Sequence, residues 1–307
     1  MSVAFLFPGQ GSQVPGMLHA LPDHPSVART LDEVSEKLGK NVLELDSPEA
    51  LRSTISVQLA LLASGVARGT RSDRRRCRAE AVAGMSAGAF AAAVTAGVLK
   101  LADGVRLVNQ RAEGMVELYP KGYGLAAIVG LTEKQVCTLV EEAYTAQSPV
   151  CVGNVNAPRQ IVIAGSNEGM NKVLEAARKS GARKAVRLDV SEPSHCPLLE
   201  SVAATLTRSL HAIHLQKPKL IYVGNIAGRA LRSAEAISQD LANNIAHGVR
   251  RHDATTVLAE LGCRLFLEMP PGHVLSELGR EAFPDVRTLA VGEASCKHAL
   301  LLAVNSG

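Results

Sequence analysis

The chain has no Trp and few other aromatic residues, four Tyr and five Phe among 307 positions. A core without large rings must be assembled mainly from Ala, Val, Leu and Ile, whose small side chains let helices and sheets approach closely. Metal-ligand spacing is also missing. The six cysteines, Cys77, Cys137, Cys151, Cys196, Cys263 and Cys296, are scattered without a CxxC pair, a pattern of reduced thiols rather than a zinc site or a disulfide framework. The net charge of +4 is slight and lacks the concentrated basic face of a nucleic-acid binder. The opening residues MSVAFLFPGQG carry neither the basic n-region nor the small-residue cleavage site of a signal peptide, so the expectation is a cytoplasmic protein. A hydrophobic content of 47% against 20% charged residues excludes a disordered or fibrous chain.

One long charge-free run is present. Residues 81–99, AVAGMSAGAFAAAVTAGVL, follow a basic stretch of Arg71, Arg74, Arg75, Arg76 and Arg78, and their length approaches that of a membrane span. The run is mostly Ala and Gly, however, and a Gly-rich break at 84–88 interrupts it. It reads as a buried strand, a sharp turn and a buried helix, with no membrane span. The basic stretch reads as a solvated loop or, more sharply, as a docking surface for an acidic partner or for phosphates.

The rest of the chain alternates in the manner of a parallel α/β sheet. A strand over residues 2–7 delivers the Gly-rich loop FPGQGSQ at 7–13. Helical periodicity covers 26–38, 57–68 and 103–118, the last with Val105, Leu107, Val108, Arg111 and Met115 on one face. Between 124 and 189 the order changes to strand, helix, strand, strand, helix, strand, the split βαβ arrangement of a small ferredoxin-like lobe. Alternation then resumes with helix 197–211, strand 220–227, helices 234–246 and 253–261, strand 264–269, and a helix after PPGHVL. The fold class is therefore α/β. A large α/β-hydrolase-like domain with a parallel sheet spans 1–122 and 191–307, and a small βαββαβ subdomain is inserted at 123–190.

Gly84-Met85-Ser86-Ala87-Gly88 fits G-x-S-x-G, in which a strained strand-to-helix turn exposes a nucleophilic Ser at the carboxyl edge of the sheet. The pentapeptide alone also fits a tight-turn serine. Its context, an apolar run before and an Ala-rich helix after, favours the nucleophile. A serine hydroxyl needs a base. His195, in the loop SEPSHCP between two prolines, is the preferred candidate, while His273 in MPPGHVL also follows a strand. The 7–13 loop can supply backbone N–H donors to an oxyanion because Gly9 and Gly11 permit close approach; alternatively it is an ordinary turn.

Together these segments resemble the malonyl-coenzyme A:acyl carrier protein transacylases. The resemblance runs through FPGQGSQ (7–13), GMSAG (84–88), LVNQRAEGM (107–115), NVNAPRQIVIAG (154–165), SHCPLLE (194–200) and LEMPPGHVL (267–275). It implies that Ser86 is acylated with His195 as base, and that Gln10 and Ala87 give the oxyanion-hole amides. Arg111 would then grip the free carboxylate of a malonyl group, and Gln58 would line the pocket. A main-chain carbonyl would orient His195, and the segment GVRR at 248–251 assigns it to Arg250. The resemblance implies no bound cofactor: the reactants are a CoA thioester, malonyl-CoA, and the prosthetic-group thiol of an acyl carrier protein.

The elbow departs from the family's usual GHSxGE through Met85 and Ala89. With GAFAAAVTAG and YPKGYGLAAIVGL, these make the chain most similar to the malonate decarboxylase epsilon subunit, and imply that decarboxylase's carrier, with its other subunits, as partner. A housekeeping fatty-acid or polyketide malonyltransferase is the alternative within the family. Outside it stand an esterase and a non-catalytic carrier-binding subunit. Neither nucleic acid nor membrane is expected as a partner.

Overall fold

The computed structural model describes residues 2–71, 78–119 and 121–292. Its first half places β1 (Ser2–Phe7), α1 (Pro25–Leu38), α2 (Thr54–Arg71), β2 (Ala81–Gly84), α3 (Gly88–Thr95) and α4 (Leu101–Leu118) in that order. The middle contains β3 (Tyr123–Val129), α5 (Glu133–Ala143), β4 (Val150–Ala157), β5 (Gln160–Ser166), α6 (Asn167–Lys179) and β6 (Lys184–Arg187). The last third follows with α7 (Glu200–His211), β7 (Ile221–Val223), β8 (Ala230–Leu231), α8 (Ala234–Asn243), α9 (Arg251–Glu260), β9 (Cys263–Glu268), α10 (Val274–Ala282) and β10 (Arg287–Ala290).

Two sheets result. The larger has the order β10-β9-β1-β2-β7-β8, and its strands are parallel except for the short β8. Its central members β1 and β2 are buried almost throughout, as both-face coverage by helices requires of a parallel sheet. The smaller sheet, β4-β5-β3-β6, is fully antiparallel. With α5 and α6 it forms the ferredoxin-like arrangement, and its own apolar cluster includes Ile128, Val136, Ile161 and Val173. Thus the fold is α/β with a separate small antiparallel sheet. Val249 joins the two parts: its N–H donates to the Gly153 carbonyl at 2.8 Å and its carbonyl accepts from Val155 at 2.9 Å.

The charge-free run folds as β2, a turn and an eight-residue α3 whose Ala face is wholly buried. Ala and Gly here are a packing requirement. Gly65 of α2 lies so close that a Cβ would stand 3.1 Å from the Phe7 ring and 3.2 Å from Ala91. Among the described residues no helix is long and apolar enough to cross a membrane. Of the basic run, Arg74, Arg75 and Arg76 lie outside the described residues, as do Cys77 and Cys296. Cys137, Cys151, Cys196 and Cys263 are free thiols.

Candidate active site

Strand register assembles the site. Phe7 pairs with Gly84, so the loop after β1 and the turn after β2 leave the sheet side by side at its carboxyl edge. The two are in backbone contact: a Cβ on Gly9 would come within 2.7 Å of the Met85 carbonyl, and one on Gly88 within 2.4 Å of the Phe7 carbonyl. A Cβ on Gly84 would meet the Gly88 carbonyl at 2.2 Å, so the elbow can close only with glycine at both ends. Between them Ser86 takes φ +56°, a left-handed conformation that is costly for a residue with a Cβ.

The strain is held by a partner that the sequence motif does not reveal. Asn225, just beyond β7, accepts the Ser86 N–H on its side-chain oxygen at 2.9 Å. Asn225 is itself fixed, because the Asn225 and Ile226 main-chain N–H groups donate to the buried Asp240 carboxylate at 2.8 to 3.0 Å. Burial raises the Asp240 pKa, and these backbone donors oppose that rise. With the Ser86 amide occupied, the elbow's free donor is the next amide, Ala87. Neither the Ala87 nor the Gln10 main-chain N–H has a hydrogen-bond partner among the described residues.

His195 approaches from the loop after β6, only 2% exposed and also left-handed at φ +61°. Its N–H donates to the Ile245 carbonyl at 2.6 Å. On the ring, Nδ1 lies 2.5 Å from the Asn244 carbonyl and Nε2 lies 2.8 Å from Ser86 Oγ. A carbonyl only accepts, so Nδ1 carries the proton and Nε2 presents its lone pair to the serine hydroxyl. Burial, and then the Arg111 charge, lower the His195 pKa to about 3. The ring is therefore neutral near pH 7 and able to take the Ser86 proton.

The orienting carbonyl belongs to Asn244, which corrects the assignment to Arg250. Asn244 caps the C-terminus of α8, where helix geometry leaves carbonyls without intrahelical donors. The Arg250 carbonyl, by contrast, accepts from Ala254 at 3.0 Å in the first turn of α9. Its side chain is committed elsewhere as well, pairing with Glu133 and, at 2.7 Å, with Asp253.

Arg111 reaches the serine from the buried face of α4. It is 1% exposed, and burial lowers its pKa to about 10, which leaves it a cation. One terminal nitrogen donates to Ser86 Oγ at 3.1 Å and the other to Gln58 Oε1 at 2.6 Å, while Nε has no partner. Among the described residues no carboxylate pairs with this buried charge. Ser86, His195, Arg111, Gln58 and Gln10 all line one cavity of about 220 Å³ between the large body and the small sheet. His273 stands apart, exposed and beside Glu277 at 3.3 Å.

A serine hydroxyl poised against a neutral imidazole, free amides beside it and a guanidinium with no carboxylate partner among the described residues together suit acyl transfer from an anionic substrate. Comparison with known proteins agrees on the chemistry. The malonyl CoA-acyl carrier protein transacylase of Escherichia coli K12 is 36% identical over 306 residues, covering 97% of this chain and 98% of that protein. The Bacillus subtilis 168 transacylase of the same name is 32% identical, covering 95% and 93%. Among solved structures, the Coxiella burnetii transacylase superposes with a TM-score of 0.92 at 32% identity, covering 99% and 97%. A malonyl-transacylase solved in complex with its type II polyketide acyl-carrier protein also gives 0.92 at 32% identity, over the full length of both chains. The sequence model described as acyl transferase domain matches residues 4–298, and the chain belongs to that family and is an acyltransferase.

Proposed function

We propose that the protein moves a malonyl group from malonyl-CoA, through an ester on Ser86, to the thiol of an acyl carrier protein. The observation that carries this reading is the buried, carboxylate-free Arg111 beside the nucleophile. A malonyl group brings the missing carboxylate, which a planar guanidinium can hold through two parallel hydrogen bonds. An acetyl group would leave the charge uncompensated in a dry site, a situation that costs several kcal/mol, on the order of 3 to 5 for a broken buried pair.

In the first half-reaction the Ser86 proton passes to His195 Nε2 while Oγ bonds to the thioester carbon. The Gln10 and Ala87 amides receive the developing oxyanion, and the intermediate expels coenzyme A as its sulfur takes the proton from His195. In the second, the carrier thiol gives its proton to His195 and attacks the malonyl ester, which returns the oxygen of Ser86 to its hydroxyl form. The CoA thioester and the carrier's prosthetic-group thiol are the reacting partners. The mechanism uses no other group beyond the residues of the chain.

As acceptor we favour the carrier subunit of a malonate decarboxylase over an ordinary fatty-acid or polyketide carrier. The departures from the family's usual elbow at Met85 and Ala89 support this choice; Met85 borders the cavity and Ala89 is buried. Rates of malonyl transfer to the two purified carriers decide the acceptor. The deciding variant for the donor is Arg111→Ala, which should lose malonyl transfer at least tenfold more than acetyl transfer. Equal losses for both acyl groups would refute the carboxylate clamp.

A further inference from the structure

The transfer leaves buried acids without a task, Glu192 among them. Glu192 lies three residues before His195 and is only 7% exposed. Its carboxylate accepts from the Thr54 hydroxyl at 2.8 Å. Thr54 in turn accepts from Gln10 Nε2 at 3.0 Å. Gln10 Oε1 faces Gln58 Nε2 at 3.4 Å, and Gln58 Oε1 accepts from Arg111 at 2.6 Å. Thr54 and Gln58 stand one turn apart on the buried side of α2, so a single helix face carries the chain from Glu192 to Arg111.

The chemistry of the two ends fixes the direction of every link. A carboxylate only accepts, so the one proton of the Thr54 hydroxyl must point at Glu192. Thr54 Oγ1 can then only accept from its other neighbour, so Gln10 turns its NH2 toward Thr54 and its oxygen toward Gln58. Gln58 must answer with NH2, which leaves its own oxygen facing Arg111. An arginine only donates, so this is the one arrangement in which all four contacts are satisfied. Without an acceptor at position 192, Thr54 is free to donate to Gln10. That reversed polarity competes with the one Arg111 demands of Gln58, so the two amides and the guanidinium they face lose their single fixed orientation.

We infer that Glu192 is a positioning residue: it sets the polarity of the Thr54–Gln10–Gln58 chain and so holds the Arg111 fork in the orientation that receives the acyl carboxylate. The inference rests on the malonyl reading of Arg111. It adds a residue that touches neither substrate nor nucleophile but tunes selectivity through three intervening side chains.

The measurement is the ratio of kcat/KM for malonyl-CoA to that for acetyl-CoA, followed by release of coenzyme A in the full-length protein. Wild type is compared with Glu192→Leu, Glu192→Gln, the pair Thr54→Val with Glu192→Leu, and Arg111→Ala as reference. Glu192→Leu should lower the ratio roughly tenfold, about 1.4 kcal/mol. Glu192→Gln retains an acceptor oxygen for Thr54 and should restore the ratio to within about threefold of wild type. The double variant replaces both buried partners with apolar groups, which guards against a folding defect. It should fall no further than Glu192→Leu, because the chain is already broken. A wild-type ratio in Glu192→Leu, or a Glu192→Gln ratio as low as that of Glu192→Leu, would overturn the inference while Arg111→Ala still lost selectivity. A wild-type ratio in Arg111→Ala would overturn the malonyl reading, and this inference with it.

Discussion

Burial of His195 makes a quantitative statement about pH. The folded-state pKa is depressed from 6.5 to about 3, first by desolvation and then by Arg111. As pH falls through 6.5 the unfolded chain takes up a proton that the folded chain refuses until about pH 3. The contribution to stability is therefore complete above 6.5 and is lost progressively on acidification toward 3. At about pH 5 the gap is about 1.5 pKa units, which at about 1.4 kcal/mol per unit is a loss of about 2 kcal/mol relative to pH 8. Urea unfolding of wild type and His195→Gln at both pH values isolates this group, since the other titrating residues are common to both proteins. Wild type should lose about 2 kcal/mol more than the variant between about pH 8 and pH 5. The same depression predicts that kcat/KM for acylation by malonyl-CoA stays level down to about pH 5, because that parameter reports ionisation of the free enzyme. An acid limb near pH 6.5, with parallel stability profiles for the two proteins, would show that burial does not depress the His195 pKa.

Two further substitutions separate the groups that orient the dyad from those that only lie near it. Asn225→Ala leaves the Ser86 N–H unpaired in a left-handed turn; it should lower unfolding stability by about 1 to 3 kcal/mol and slow formation of the acyl-enzyme, measured by burst release of coenzyme A. Arg250→Ala should leave the acylation rate within about twofold of wild type, because Asn244 supplies the carbonyl at His195 and the Arg250 pairs are half-exposed ones worth roughly 1 kcal/mol or less. A large fall in acylation would restore Arg250 to the site.

The legible parts of this chain are those set by local pattern. The apolar run before Pro8 and the Ala-Gly run around Ser86 announce β1, β2 and α3, and parallel pairing of those strands then brings the Gly9 loop against the elbow. The βαββαβ order of the small sheet follows equally from alternation and turn residues. Less legible is where an element stops for tertiary reasons. The run 220–227 reads as one strand, yet β7 ends at Val223, and the Asn225 and Ile226 amides turn to the Asp240 carboxylate. The helix expected to reach 246 ends at Asn243, and the carbonyls of Asn244 and Ile245 turn to His195. The edge strand β10 and the two-residue β8 carry too few residues to show a period.

The site divides along the same line. Ser86, His195, Arg111, Gln10 and Gln58 can be named because their chemistry needs particular side chains at particular places. The carbonyl that orients His195 cannot be so named, since every residue has one and only the end of α8 decides which is free. Asn225 and Glu192 fall between these cases. Each is a polar residue in a buried setting beside a strand end or the His195 loop, and that combination was the available signal. Their partners, Ser86 at 139 positions' distance and Thr54 at 138, come close only in the folded chain.

In the proposed transfer Ser86 carries the malonyl group between donor and carrier. Peptide-resolved mass spectrometry after brief mixing with malonyl-CoA tests it most directly. A malonyl adduct is expected on the peptide containing Ser86, disappearing as the adduct forms on added acyl carrier protein, with no adduct in Ser86→Ala. A malonyl adduct on a different residue, or carrier malonylation undiminished in Ser86→Ala, would contradict the proposed transfer.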